Sequence, residues 1–97
     1  MLLCGDTVAV RRRGSTGLLA SMWELPNDLS PDAPENGEPC GEAVHVFSHI
    51  EWHMRGYIVR CEEKLPDYVW VTRAERKALA MPTAFRYYRK KLEEMGY

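Results

Sequence analysis

The chain of 97 residues lacks the features that mark membrane proteins and disulfide-rich secreted proteins. No apolar run approaches the roughly 20 residues that span a bilayer, and no signal-peptide pattern opens the sequence. The three cysteines, Cys4, Cys40 and Cys61, are widely spaced and form no C-x-x-C pair. We therefore expect neither a disulfide framework nor a cysteine-only metal site, and the composition indicates a reduced, intracellular domain without membrane contact.

A strong charge of one sign is also missing. The net charge of −1 argues against a uniformly basic nucleic-acid binder. Residues 28–43 hold five acidic residues and no basic one, so the rest of the chain is mildly basic. Two basic clusters could contact phosphates, or could simply be solvated surface charge: Arg11, Arg12 and Arg13, and Arg86, Arg89, Lys90 and Lys91.

The apolar content is sufficient for one small domain over residues 1–97, with 45% hydrophobic and 10% aromatic residues. Trp23 and Leu25, with Leu18 and Leu19, are predicted core residues. Residues 27–43, rich in proline, glycine and acid, predict a loop. β-Branched and aromatic runs predict strands at Met1–Cys4 and Thr7–Arg12 around a Gly5-Asp6 turn, at Trp23–Leu25, at Val44–Val59 with an interruption near Ser48 and a continuation to Cys61, and at Tyr68–Thr72.

Helices are predicted only near the C-terminus. Thr72 and Glu75 have the spacing of a capping box, which predicts a helix start that Met81-Pro82 later ends. Thr83 is predicted to open a second helix, whose apolar residues recur at helical spacing, and Gly96 to end it. Strands that precede helices predict an α+β fold with one mixed or antiparallel sheet.

The segment 45–53 contains two candidate reactive groups. His45, His49 and His53 are four residues apart, which on a strand is roughly 13 Å and too far for one metal ion. They could share a metal only if a turn at Ser48 folded the segment back. Ser48 with His49 could form a hydrolase nucleophile, but neighbours on a strand face opposite sides and no G-x-S-x-G motif surrounds them.

The end of the chain imitates the pyrophosphohydrolase (Nudix) box, in which several glutamates hold Mg²⁺ on a diphosphate. RKKLEEMGY resembles the second half, R-E-U-x-E-E-x-G-U, where U is apolar. Lys90 replaces its first glutamate, Lys91 its apolar residue, and the upstream glutamate and glycine would fall on Met81 and Glu75. Where the box is expected, after WELP, the acidic loop stands instead, so the carboxylate helix is predicted to be absent.

Three ordered segments carry a resemblance to the C-terminal domain of A/G-specific adenine DNA glycosylases of the MutY family. GSTGLLASMWELPN (14–27) resembles its G-L-L-A-x-x-W-E-F-P signature. HVFSHIEWHMRGYIV (45–59) is similar to its F-S-H loop and following strand, and ALAMPTAFRYYRKKLE (78–93) to its closing helix. The three segments occur in the order of that domain, and the acidic loop between the first two has no counterpart.

The resemblance implies a Nudix/MutT-like mixed sheet with C-terminal helices, in which the Nudix helix is shortened or absent. It implies a non-catalytic domain for base excision repair that binds double-stranded DNA with 8-oxoguanine opposite adenine. Carried over by residue, the lesion probe is Phe47, Ser48 and His49; the catalytic carboxylates and a 4Fe-4S cluster belong to an N-terminal catalytic domain outside this chain, so no cofactor is expected here. Arg12, Arg13, Arg86, Arg89 and Lys90 are the possible phosphate contacts.

Chemistry supports the probe, because 8-oxoguanine carries an N–H donor where guanine has an acceptor nitrogen, and a serine hydroxyl can accept from it. The residues alone favour the interpretation that Phe47 is core and that Ser48 and His49 are ordinary turn residues, whereas the resemblance favours the probe. Two alternatives are a free-standing Nudix-type nucleotide pyrophosphohydrolase and a protein-interaction module whose acidic loop binds a basic partner. We expect a monomer in the bacterial cytoplasm, associated with the nucleoid by its function.

Overall fold

The computed structural model of the protein describes residues 1–16, 19–27, 34, 36–47 and 49–97. Leu18, Ser48 and most of the predicted acidic loop lie outside the described residues. The strands are β1 (Leu2–Cys4), β2 (Thr7–Arg12), β3 (Trp23–Glu24), β4 (Glu38–Phe47), β5 (Ile50–Arg60) and β6 (Val69–Val71). The helices are α1 (Arg73–Lys77), a 3-10 turn (Thr83–Phe85) and α2 (Arg86–Glu94).

The six strands form one sheet in the order β3-β2-β1-β5-β4, with β6 also paired to β2. β1 runs parallel to β5, whereas the β1–β2, β2–β3, β2–β6 and β4–β5 pairs are antiparallel. The predicted mixed sheet with C-terminal helices is thereby confirmed. The first hairpin turns at Gly5-Asp6, as predicted.

The predicted loop 27–43 is wrong at its C-terminal end, since β4 begins at Glu38. Proline and glycine in this stretch argued against a strand, yet β4 lies at the edge of the sheet, where a missing backbone N–H is tolerated. The pairing shifts register between Pro39 and Gly41, which accommodates both residues. β4 and β5 then pair without a break to Phe47 and Ile50, so the predicted interruption near Ser48 is the reversal of a long hairpin.

The helical predictions hold with two adjustments, the first being that α1 ends at Lys77, before the predicted stop at Met81-Pro82. Thr72 caps α1, its side chain accepts from the Glu75 N–H, and the Glu75 carboxylate accepts from the Thr72 N–H, which is the predicted capping box. The second helical segment opens at Thr83 as a 3-10 turn and becomes α-helical only at Arg86. Most of the segment between β3 and β4 lies outside the described residues, so the shortened or absent Nudix helix stays a prediction.

The core lies between the sheet and the C-terminal helical segment. Leu25 is buried, as predicted, while Trp23 is half-buried against the core and Leu19 is half-buried. The buried apolar cluster comprises Leu3, Val8, Val10, Leu25, Val71, Met81, Phe85, Tyr88 and Leu92.

A pair of glycines lets α2 approach the β4–β5 hairpin. Gly41 and Gly56 are register partners, and a Cβ at Gly56 would lie 2.1 Å from Cε1 of Tyr88. The Tyr88 hydroxyl donates to the Gly41 carbonyl over 3.0 Å, and burial raises the pKa of Tyr88 to about 12. A Cβ at Gly41 would lie 2.2 Å from the Tyr87 hydroxyl. The hairpin therefore packs against α2 at Gly41 and Gly56, which have no side chains.

A buried guanidinium joins α1 to the end of α2. Arg76 is fully buried, and its Nη2 donates to the Tyr97 backbone oxygen over 2.9 Å and lies 3.7 Å from Oε1 of Glu93. Its Nε and Nη1 have no hydrogen-bond partner among the described residues. Burial lowers the pKa of Arg76 below its ordinary value, because desolvation penalises the charged form.

We expect Gly56→Ala to lower the free energy of unfolding by about 1–3 kcal/mol, since the added methyl group would overpack the contact with Tyr88. Gly14→Ala is the matched control, because a Cβ there meets no atom within 4 Å. Urea unfolding of both variants measures the difference. Equal stabilities would contradict the close approach described for Gly56.

The phenol of Tyr88 makes alkaline stability a second measurable property. Its pKa is about 12 in the folded chain and about 10 in an unfolded one, so the neutral phenol favours folding. This contribution is fully present below pH 10 and is lost as the pH rises through 12. We expect urea unfolding to show a smaller loss of stability between pH 9 and pH 11 for Tyr88→Phe than for the wild type; equal losses would contradict it.

Candidate nucleic-acid interface

Two of the three residues of the predicted lesion probe, Phe47 and His49, lie at the tip of the β4–β5 hairpin. Phe47 ends β4 and pairs with Ile50, which begins β5. His49 is exposed in the turn, and Ser48 lies outside the described residues. The long antiparallel ladder therefore holds Phe47 in its last pair, at one end of the sheet, with His49 in the turn that follows.

A chain of aromatic contacts connects the tip to the core. The Phe47 ring meets His45 edge-on at 4.4 Å between centroids and Trp52 at 5.0 Å. Trp52 in turn lies 6.1 Å from the buried Phe85 at the end of the 3-10 turn. Such edge-to-face contacts between aromatic rings are favourable beyond the area that they bury. Phe47 is half-buried, so one side of it supports the hairpin while the other faces solvent.

A cation–carboxylate pair borders this aromatic chain. The Arg13 guanidinium carbon lies 5.3 Å from the centroid of the Trp52 ring, within the range of a cation–π interaction. Nη1 of Arg13 donates to Oε1 of Glu24 over 2.6 Å, and the Glu24 side chain is 5% exposed. The Glu24 residue of the WELP segment is thus bound to the hairpin through one guanidinium.

The first basic cluster comprises Arg11, Arg12 and Arg13. Successive residues along a strand face opposite sides, so these side chains have different surroundings. Arg11 pairs in register with Glu24, and its Nε donates to Oε2 of that carboxylate over 2.7 Å. Arg12 is exposed, and its Nε donates to the Ser21 carbonyl over 3.0 Å. Of the two predicted phosphate contacts in this cluster, Arg12 is exposed and Arg13 is engaged with Glu24 and Trp52, with its side chain 24% exposed.

The second basic cluster follows directly on Phe85. Arg86 and Lys90 are exposed one helical turn apart on α2. Arg89 is half-buried, and its Nε is buried without a hydrogen-bond partner among the described residues. The contact between Phe85 and Trp52 therefore brings the basic start of α2 towards the hairpin, with Arg86 next to that contact in the chain.

The histidines do not come together, although the chain does turn back near Ser48. His45 is opposite Trp52 and His53 is opposite Val44, so the two histidines lie on different faces of the hairpin. His53 Nε2 lies 3.1 Å from Oε2 of Glu51 at the surface. Over the described parts of the chain, no group of three His, Cys, Asp or Glu side chains could hold a metal ion. The donor set for the Mg²⁺ of a Nudix hydrolase is therefore not assembled there.

The opposite face of the hairpin carries exposed apolar side chains on the edge strand. Val44 and Val46 of β4 are 58% and 57% exposed. An ion pair flanks them, with Nε of Arg55 3.7 Å from Oε1 of Glu42.

None of the helices that the structure describes is both long enough and apolar enough to cross a membrane.

Sequence reasoning missed Trp52 and Glu24 as supports of the site. The contacts join residues 13, 24, 47 and 52, which are far apart in sequence and meet only through the sheet register. One signal was present: Glu24 stands between apolar neighbours in MWELP, a position where a carboxylate needs a partner if it is buried.

Comparison with known proteins identifies a family and a relative for this chain. The family model described as NUDIX domain matches residues 1–91. Adenine DNA glycosylase of Rattus norvegicus is 30% identical over 108 aligned residues, which cover 84% of this chain and 21% of that protein. The chain therefore spans about a fifth of the length of this curated relative.

A solved structure shares the fold. The C-terminal domain of mouse MUTYH, solved in complex with human PCNA, superimposes with a TM-score of 0.71 and 21% identity, covering 98% of this chain and 86% of that one. Together with the rat enzyme, it confirms the predicted resemblance to the C-terminal domain of adenine DNA glycosylases.

We expect Glu24→Gln to lower the free energy of unfolding by about 1–3 kcal/mol, because two guanidiniums would lose a charged acceptor. Glu42→Gln is the control, since its ion pair with Arg55 is exposed and should contribute about 0–1 kcal/mol. Thermal and urea unfolding compare the two. A Glu24 variant no less stable than the Glu42 variant would show that the buried pair contributes nothing.

Proposed function

The chain belongs to the NUDIX domain family, and within it we propose a non-catalytic lesion-recognition domain that binds double-stranded DNA with 8-oxoguanine opposite adenine. In this proposal it serves base excision repair as part of an adenine DNA glycosylase. Its sequence similarity to the rat enzyme supports the assignment. The glycosylase activity itself would belong to an N-terminal catalytic domain, with its 4Fe-4S cluster, acting together with this chain.

The observation that carries the proposal is the supported tip of the β4–β5 hairpin. Phe47 and His49 are held there by a long strand ladder and by ring contacts that reach the core. A side chain that discriminates bases must be held in place, because a misplaced donor or acceptor loses its hydrogen bond. A half-buried Phe47 fits a residue that stacks on or wedges into a base step.

The chemistry of the oxidised base points to Ser48. Guanine presents acceptors on its Hoogsteen edge, whereas 8-oxoguanine presents an N–H beside a new carbonyl. A hydroxyl can accept from that N–H and donate elsewhere, and His49 can donate to a base edge or a phosphate. Exposed Arg12, Arg86 and Lys90 would position the duplex through its phosphates, with Arg89 at the margin of that surface.

Protein binding is a second candidate function, favoured by one observation. The edge strand β4 exposes Val44 and Val46 next to each other on one face of the hairpin, as docking surfaces do. The mouse domain of the same fold was solved with human PCNA bound. We propose that the domain binds a partner protein in addition to DNA. The acidic segment 28–43 is the alternative contact for that partner. For the pyrophosphohydrolase alternative, no comparable observation exists among the described residues.

We also propose that the domain acts as a monomer, in the bacterial cytoplasm at the nucleoid. The near-zero net charge supports weak independent affinity, since few phosphates would be neutralised. Most of the binding free energy would then come from the catalytic domain, and this domain would supply discrimination.

We expect the labelled chain to bind a duplex with 8-oxoguanine opposite adenine more tightly than one with guanine opposite adenine. Amide resonances followed during titration should shift most at residues 47–49. Ser48→Ala should remove about 1–3 kcal/mol of this preference, the usual contribution of a specific base contact. The amide titration is suitable because it detects weak binding.

Ser15→Ala is the control, because Ser15 is an exposed hydroxyl outside the hairpin. It should leave the preference between the two duplexes unchanged. Equal shifts for both duplexes, confined to the arginine and lysine clusters and removed by salt, would refute lesion reading and leave only contact with the backbone. A deletion of residues 28–37 that keeps the preference would separate DNA reading from binding through the acidic segment.

A further inference from the structure

We propose that Glu24 and Arg13 are positioning residues for the recognition hairpin, acting through Trp52, and that Arg13 is not a phosphate ligand. This inference rests on the proposed function for its effect on DNA, but its structural half can be measured without DNA. It revises the prediction that grouped Arg13 with Arg12 as phosphate contacts.

The first step is the anchor. The Glu24 carboxylate is 5% exposed, and both of its oxygens accept from a guanidinium, Oε2 from Arg11 and Oε1 from Arg13. A carboxylate removed from water is stable only when such donors satisfy it. The backbone N–H of Arg13 also donates to the Met22 carbonyl over 2.8 Å, next to β3. Arg13 is therefore held at its backbone N–H and at Nη1 of its side chain.

The second step is the contact with the hairpin. The guanidinium of Arg13, the residue after β2, lies 5.3 Å from the centroid of the Trp52 ring. Trp52 belongs to β5, which is not adjacent to β2 in the sheet. A guanidinium that is weakly hydrated and held by a carboxylate can stack on an indole at little further cost. The β2–β3 part of the sheet is in this way linked to the β4–β5 hairpin by a side chain.

The third step is what this link does to the probe. Trp52 contacts Phe47 on one side and Phe85 on the other, at 5.0 and 6.1 Å. If Arg13 is removed, Trp52 loses a neighbour on its ring and gains rotamer freedom, and Phe47 loses its fixed partner. The hairpin tip would still form, since the strand ladder remains, but Phe47 and His49 would be less well placed.

Arg12, the last residue of β2, provides a matched comparison because it directly precedes Arg13. It is exposed and its Nε donates to the Ser21 carbonyl, so it is accessible to a phosphate. Arg13 is 24% exposed and is held by Glu24 and Trp52. Adjacent residues of equal charge thus have opposite surroundings, and their loss should have different consequences for binding.

The first measurement uses the free chain. In Arg13→Gln, the NMR resonances of the Trp52 indole N–H and of the Phe47 and His49 amides should shift. The amide order parameters at positions 47 and 49 should fall. Arg12→Gln should leave these signals unchanged. Arg13→Lys, which retains a cation for Glu24 and for the ring, should restore most of the wild-type pattern. Unchanged signals at 47, 49 and 52 in Arg13→Gln would overturn the proposal.

The second measurement titrates the two duplexes into the same variants at several salt concentrations. Arg13→Gln should reduce the preference for 8-oxoguanine about threefold or more and leave the salt slope unchanged. Arg12→Gln should keep the preference and reduce the slope by about 1, the effect of one lost phosphate contact. A reduced slope with an intact preference for Arg13→Gln would identify Arg13 as a phosphate ligand and overturn the proposal.

A stability control separates positioning from general weakening. Thr72→Ala removes the distant capping box and should lower stability without changing the duplex preference. If Thr72→Ala reduced the preference as much as Arg13→Gln, the positioning role would be refuted. If the wild type bound both duplexes equally, the proposed function would fail, and the positioning proposal would still be decided by the resonances of the free chain.

Discussion

The candidate site depends on the side-chain contacts of Trp52, because its ring joins three parts of the fold. Its ring meets Phe47 at the hairpin tip, Phe85 at the start of the last helical segment and the Arg13 guanidinium after β2. The strand ladder alone sets the direction of the β4–β5 hairpin. Side-chain packing around this indole sets where the tip lies relative to the core and to the basic residues.

A second constraint operates at the other end of the same hairpin. Gly41 and Gly56 leave a space that Tyr87 and Tyr88 fill, and the Tyr88 hydroxyl satisfies the Gly41 carbonyl. β5 also pairs with β1, but that pairing covers only the Val59–Arg60 end of the hairpin, and a two-stranded ribbon alone would be marginally stable. Close packing at the glycines and ring packing at Trp52 hold the ribbon at two points, with the probe residues just beyond the second.

The proposed function assigns base recognition, and not hydrolysis, to a chain of the NUDIX domain family. At the surface of the hairpin, Oε1 of Glu42 lies 3.7 Å from Nε of Arg55, and Oε2 of Glu51 lies 3.1 Å from Nε2 of His53. The hairpin instead presents an aromatic ring, an imidazole and nearby guanidiniums. These groups stack, donate hydrogen bonds and attract phosphates, and they suit recognition of a nucleic acid more than phosphoanhydride cleavage.

The sequence by itself determined most elements and the family: the Gly5-Asp6 turn, the capping box of Thr72, the strand-then-helix order and the F-S-H and W-E-L-P segments are local patterns. It failed at Glu38–Gly41, where proline and glycine predict a loop, because only the position of β4 at the sheet edge makes a strand tolerable there. Register was likewise decided in three dimensions. A shift of one residue would bring Arg12, in place of Arg11, opposite Glu24, so pairing between strands, and not composition, determined which arginines meet Glu24.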